Sequence, residues 1–99
     1  MNIKLVNRGT EGELLVDGRL DSTTAPEAEA ILLQMGDRFD TVILNLAGME
    51  YVSSAGLRIF KQLHILMMKK NGRLCFKNVN KTVMEVFEIT GLVGLFAFV

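Results

Sequence analysis

Two serines and a glycine, Ser53-Ser54-Ala55-Gly56, stand between an apolar run and a long helical pattern. That junction constrains the chain more than any other stretch. Thr41-Val42-Ile43-Leu44-Asn45-Leu46 before it has the length and the β-branched content of a buried strand. From about Ser54 or Ala55 to Lys70, Ile59, Phe60, Leu63, Leu66 and Met67 recur on one helical face. A serine at such a junction can cap the helix by accepting an otherwise unpaired N–H. The same place favours an anion, because free N–H groups and the helix dipole both point to it. A phosphate on Ser54, or on Ser53 as the second candidate, would meet a receptive backbone.

The remaining segments extend this strand–helix alternation. Ile3 to Val6 and Glu13 to Val16 read as a hairpin around Arg8-Gly9-Thr10-Glu11-Gly12. Asp17 to Asp21 then leaves the sheet. Thr24 and Glu27 suggest a capping box at the start of a helix with Pro26 in its first turn. Ala28, Ile31, Leu32 and Met35 form its buried stripe, and Gly36 is its expected stop. Asn71-Gly72 ends the next helix, with glycine expected in the left-handed turn. Arg73 to Phe76 is a further strand. Asn80 caps a third helix with Val83, Val86, Phe87 and Thr90 inside and Gly91 as the stop, and Phe96 to Phe98 offers a short last strand. Strands alternating with helices predict an α/β domain over residues 1–99, with a mixed sheet of four or five strands and three helices mainly on one face. Ile43, Leu44, Val86 and Phe87 are expected in its core with Ile59, Phe60, Leu63 and Met67.

Composition narrows function mostly by exclusion. Eleven basic and eleven acidic residues leave zero net charge, so no basic excess points to nucleic acid or to direct membrane contact. A neutral chain is expected to hold a partner by shape and apolar contact. The single cysteine, Cys75, allows no internal disulfide, and the apolar C-terminal stretch is too short to span a bilayer; a cytoplasmic location is expected. An enzyme is not expected. His64, the only histidine, lies ten residues beyond Ser54 on the same predicted helix, about 15 Å along its axis. It cannot serve that serine as a base. Val52 stands where a nucleophile elbow requires glycine. Glu50, Asp17 and Asp21 read as solvated or capping carboxylates, Cys75 as a buried thiol, and no metal or cofactor motif is present.

Val16-x-Gly18-x-Leu20-Asp21, then a helix and an apolar strand, then Val52-Ser53-Ser54-Ala55-Gly56-Leu57, resembles the STAS domain family. Phe87-Glu88-Ile89-Thr90-Gly91-Leu92 resembles that family's third-helix ending, so the likeness covers essentially the whole chain. The resemblance implies an anti-sigma factor antagonist. Such a protein binds an anti-sigma factor serine kinase, releases a sigma factor for transcription, and is reset by a PP2C-type phosphatase. Aligning the family glycine on Gly56 puts the phosphorylated serine at Ser54, and Asp21 matches the family's acidic residue near the same loop. Ser53 stands where the family often has Asp, and Ala55 where it has Ser or Thr. The other function the resemblance allows is an unphosphorylated interaction subunit of a membrane transport complex.

A partner surface can be placed from helical spacing. Leu57, Lys61, His64, Ile65 and Met68 fall on a flank of the second predicted helix away from its inner stripe. Together with Asp21, Ser22, Thr23, Ser53 and Ser54 they form the expected kinase-binding surface.

Overall fold

A computed structural model describes all 99 residues, Met1–Val99. The strands are β1 (Asn2–Arg8), β2 (Glu11–Leu20), β3 (Thr41–Asn45), β4 (Met49–Val52), β5 (Arg73–Lys77) and β6 (Ala97–Phe98). The helices are α1 (Ala25–Arg38), α2 (Ser54–Lys69) and α3 (Lys81–Ile89), with a 3₁₀ turn at Leu92–Gly94. The sheet order is β1-β2-β3-β5-β6, with β4 paired to β2 off that path. Only β1 and β2 are antiparallel; the other pairs are parallel. The α/β mixed sheet is as expected, with one strand more than the four or five anticipated.

The extra strand arises from the length of β2. Asp17 to Leu20 does not leave the sheet but continues it. Glu11 to Leu15 pair with β3, and Gly18 to Leu20 pair with β4. A bulge after Gly18 separates the two registers. Gly18 sits at φ 97°, a region that disfavours any side chain, and its N–H donates to Gly48 O at 2.8 Å.

One cluster of 22 buried residues forms the core. Leu14 and Val16 of β2, Val42 and Leu44 of β3, and Leu74 and Phe76 of β5 lie on the helix-bearing face. Ala28 and Leu32 of α1, Phe60, Leu63 and Met67 of α2, and Val83 and Phe87 of α3 pack against them in the same cluster. The period of two in each strand therefore meets the helical stripes on one side. Ile43 does not join them, because alternation turns it to the opposite face, where it is half-buried. Ile31, Met35 and Val86 are half-buried at the stripe margins, and Thr90 is exposed, its hydroxyl donating back to Val86 O at 2.8 Å.

Three local readings are corrected. Thr24 makes no side-chain cap; its hydroxyl donates to Arg19 O at 2.9 Å and accepts from Asp21 N–H at 3.0 Å. Gly36 does not stop α1. It lies inside the helix, where a Cβ would come within 2.7 Å of Leu63 and Leu66, so it permits close approach of α2. The exposed end of α1 is closed from a distance instead: Lys70 Nζ donates to the carbonyls of Gly36, Asp37 and Phe39 at 2.9, 3.1 and 3.0 Å. After α2 the left-handed residue is Asn71, at φ 58°, and not Gly72. Asn80 does cap α3, accepting from Val83 N–H at 2.9 Å, and Gly91 ends it at φ 79°.

The helix-free face carries a buried polar network that residue spacing alone did not suggest. Glu13 accepts from Asn45 at 2.9 Å and from Arg8 at 2.8 Å, with Lys77 at 3.8 Å. These bonds, the Asn45 one foremost, hold the Glu13 carboxyl below its ordinary value of 4.5. A depressed folded-state pKa stabilises the fold above the unfolded pKa, and that contribution is lost as pH falls through the folded value. Glu13→Gln is therefore expected to cost about 1–3 kcal/mol at pH 7. In melts taken from pH 7 down to 3, the gap to wild type should close below the ordinary carboxylate range. A gap that stays constant over this range would contradict the assignment.

Candidate functional site

The two ends of parallel β2 and β4 lie side by side, with Leu20 opposite Val52. Ser53 N–H donates to Leu20 O at 2.9 Å. This pairing brings Asp21-Ser22-Thr23, which follows β2, beside Ser53-Ser54, which follows β4. The sequence-derived neighbours are thus joined by main-chain bonding between strands, one of which the sequence reading did not recognise.

Ser53 is the N-cap residue of α2 in backbone terms, with extended φ and ψ, but its side chain makes no cap. Its hydroxyl is buried and has no hydrogen-bond partner. Ser54 is the first residue of α2 and is exposed. The two candidate acceptors therefore differ sharply: one hydroxyl faces solvent at the positive end of a 16-residue helix, and the other is enclosed. Gly56 seats this turn on the strands. A Cβ there would lie 2.7 Å from Leu20 Cγ and 2.8 Å from Val52 Cγ2, so only glycine lets the first turn of α2 sit so low.

Asp21 organises its own loop. Oδ1 accepts from the Thr23 hydroxyl at 2.6 Å, from Thr23 N–H at 3.0 Å and from Thr24 N–H at 3.3 Å. The Thr23 hydroxyl bond leads in holding the Asp21 carboxyl below the usual carboxylate range. Ser22 and Thr23 are exposed. A shallow groove between α1 and α2, of about 220 Å³, is lined by Ser22, Glu29, Ala55 and Arg58 among others. It borders the first turn of α2 through Ala55 and Arg58.

The rest of the expected surface divides. Lys61 is exposed, and so are Ile65 at 50% and Met68 at 63%. Leu57 is not available: it is only 8% exposed and belongs to the core, because the first turn sinks toward β2 and β4. His64 is half-buried, edge-on to Phe96 with ring centroids 5.9 Å apart. Two residues missed in the sequence flank the turn. Arg19 stacks over the exposed Tyr51 ring at 4.4 Å and reaches Asp21 at 3.8 Å. Recognising Met49–Val52 as a strand parallel to Gly18–Leu20 would have paired them. No group of three or more His, Cys, Asp or Glu side chains is placed to hold a metal ion, and no helix is long and apolar enough to cross a membrane.

Comparison with known proteins gives a consistent pattern. The STAS domain family model matches residues 3–99. An anti-sigma-B factor antagonist of Staphylococcus epidermidis is 31% identical over 96 residues, covering 96% of this chain and 89% of that one. An anti-sigma factor antagonist from Mycobacterium paratuberculosis has the same fold, with a TM-score of 0.86 at 20% identity over 98% of this chain and 83% of the other. The Bacillus cell fate determinant SpoIIAA in its phosphorylated form superposes with a TM-score of 0.77 at 18% identity, over 99% and 91% of the two chains.

Proposed function

The chain belongs to the STAS domain family, and from that membership we propose that it is an anti-sigma factor antagonist switched by phosphorylation at Ser54. In this reading the dephosphorylated chain binds an anti-sigma factor serine kinase and frees a sigma factor. The kinase phosphorylates Ser54, the complex separates, and a PP2C-type phosphatase restores the binding form. The chain itself acts by binding and catalyses no reaction.

The observation that carries the reading is the placement of the Ser54 hydroxyl. It is exposed on the first residue of α2, while the neighbouring Ser53 hydroxyl is enclosed. A phosphate there adds about −1.5 to −2 charges at neutral pH. The helix N-terminus tolerates that charge, so β4 and α2 need not move. A partner that covers the turn must instead desolvate it, at several kcal/mol if the charge is unpaired. The Asp21–Thr23 loop, with Ser22 and Thr23 exposed, and Lys61, Ile65 and Met68 complete the proposed contact surface; Leu57 is not part of it.

Incubation with ATP and the anti-sigma factor kinase of the same organism tests the acceptor. Intact-mass analysis should show a single added phosphoryl group on the wild type and on Ser53→Ala, and none on Ser54→Ala. Equal labelling of Ser54→Ala would remove Ser54 from the switch.

A further inference from the structure

Zero net charge conceals a segregation of charge by helix. The exposed face of α2 carries Arg58, Lys61 and Lys69, and the helix contains no Asp or Glu. The other two helices carry acids, Glu27, Glu29 and Asp37 on α1 and Glu85 and Glu88 on α3, and the remaining six acids lie on strands and loops. None of the ion pairs in the structure involves α2. Glu29 and Asp37 line the grooves shared with Arg58 and Lys69, yet neither comes within ion-pair distance. Steering depends on where the charges lie as well as on their sum, and α2 presents cations that no carboxylate pairs.

At 3.6 residues per turn, Ser54, Arg58, Lys61, Ile65, Met68 and Lys69 fall within an arc of about 100°. The acceptor serine thus heads a stripe of three free cations around two exposed apolar side chains. Resting on the function proposed above, we propose that this stripe docks an acidic face of the anti-sigma factor kinase, with Ile65 and Met68 as its apolar anchors. Charge complementarity selects that partner chemistry over a basic or neutral one. It also gives the phosphate a second effect. About two negative charges at the head of the stripe offset Arg58 and Lys61, so phosphorylation would place a repelling charge at the contact and cancel the attraction around it.

Association kinetics with the purified kinase of the same organism test this. Lys61→Glu combined with Lys69→Glu should slow association about tenfold at low salt, and the difference should shrink as ionic strength rises beyond about 0.15 M. Lys4→Glu combined with Lys81→Glu changes net charge equally away from the stripe and should leave the rate near wild type. Melts should show that all variants fold, since the four lysines are exposed. If the Lys61/Lys69 variant associates like wild type while Ser54→Asp loses binding, the acidic partner face is wrong and the phosphorylation reading stands. If the lysine variant slows while Ser54→Asp binds normally, the docking stripe stands and the switch falls. If the kinase binds none of these proteins, both are overturned.

Discussion

Ser54→Asp is expected to keep the fold and to weaken binding to the anti-sigma factor kinase about 100-fold. The two halves of that outcome have separate causes. In the free protein the new carboxylate sits on the first residue of α2, beside N–H groups that no side chain caps. A negative charge there stabilises a helix by about 0.3–1 kcal/mol, so the melting temperature should hold or rise slightly. In the complex the same charge must be desolvated against the partner. A penalty of about 2.7 kcal/mol, less than the cost of an unpaired buried charge, already accounts for a hundredfold loss. Ser54→Ala removes the acceptor without adding charge and should bind like the unphosphorylated wild type. Calorimetric titration of the three proteins, with melts of each, separates the effects. Binding of Ser54→Asp within a few-fold of wild type would show that the partner leaves the α2 N-terminus open to water.

The largest stability effect is expected at Phe76. Its ring stacks on Phe96 at 4.6 Å and meets Phe60, Phe87 and Phe98 at 5.3, 5.5 and 6.0 Å. It is fully buried and joins β5 to α2, α3 and the C-terminal segment. Truncation leaves a cavity that four rings cannot fill without leaving their own contacts. Phe76→Ala should cost about 3–5 kcal/mol. For a domain of this size that is a large share of total stability and corresponds to a fall of about 15–30 °C in melting temperature. Phe76→Leu, which retains most of the volume, should lose much less. A drop of only a few degrees for the alanine variant would mean that the aromatic cluster repacks and that Phe76 is not its centre.

What was legible in the residues was whatever depends on near neighbours along the chain. Period-two and period-3.6 patterning identified β2, α1, β3, α2, β5 and α3 because each buries apolar positions in step with it, while the largely exposed β1 was legible as the hairpin partner across the Arg8–Gly12 turn. The Asn80 cap and the Gly91 stop were readable because both devices act within a few residues. The junction at Ser53–Gly56 was visible for the same reason. The resemblance to the STAS domain family, carried by the order of such local pieces, agrees with the matched family model.

Tertiary structure decided everything that depends on a partner distant in sequence. Met49–Val52 is too short and too mixed to announce itself as a strand; it is one because β2 runs on past a bulge and offers it an edge. Gly36 looked like a stop and is a close approach, because what matters there is Leu63 and Leu66 across the helix interface. Leu57 looked lateral on an isolated helix and is buried, because Gly56 lets the first turn sink onto Leu20 and Val52. The difference in accessibility between Ser53 and Ser54 has the same origin. Local spacing makes both serines plausible acceptors, whereas packing encloses one hydroxyl and leaves the other in solvent. Sequence period specifies which side of an element is apolar, but how deeply each residue is buried depends on how near its neighbours are allowed to come.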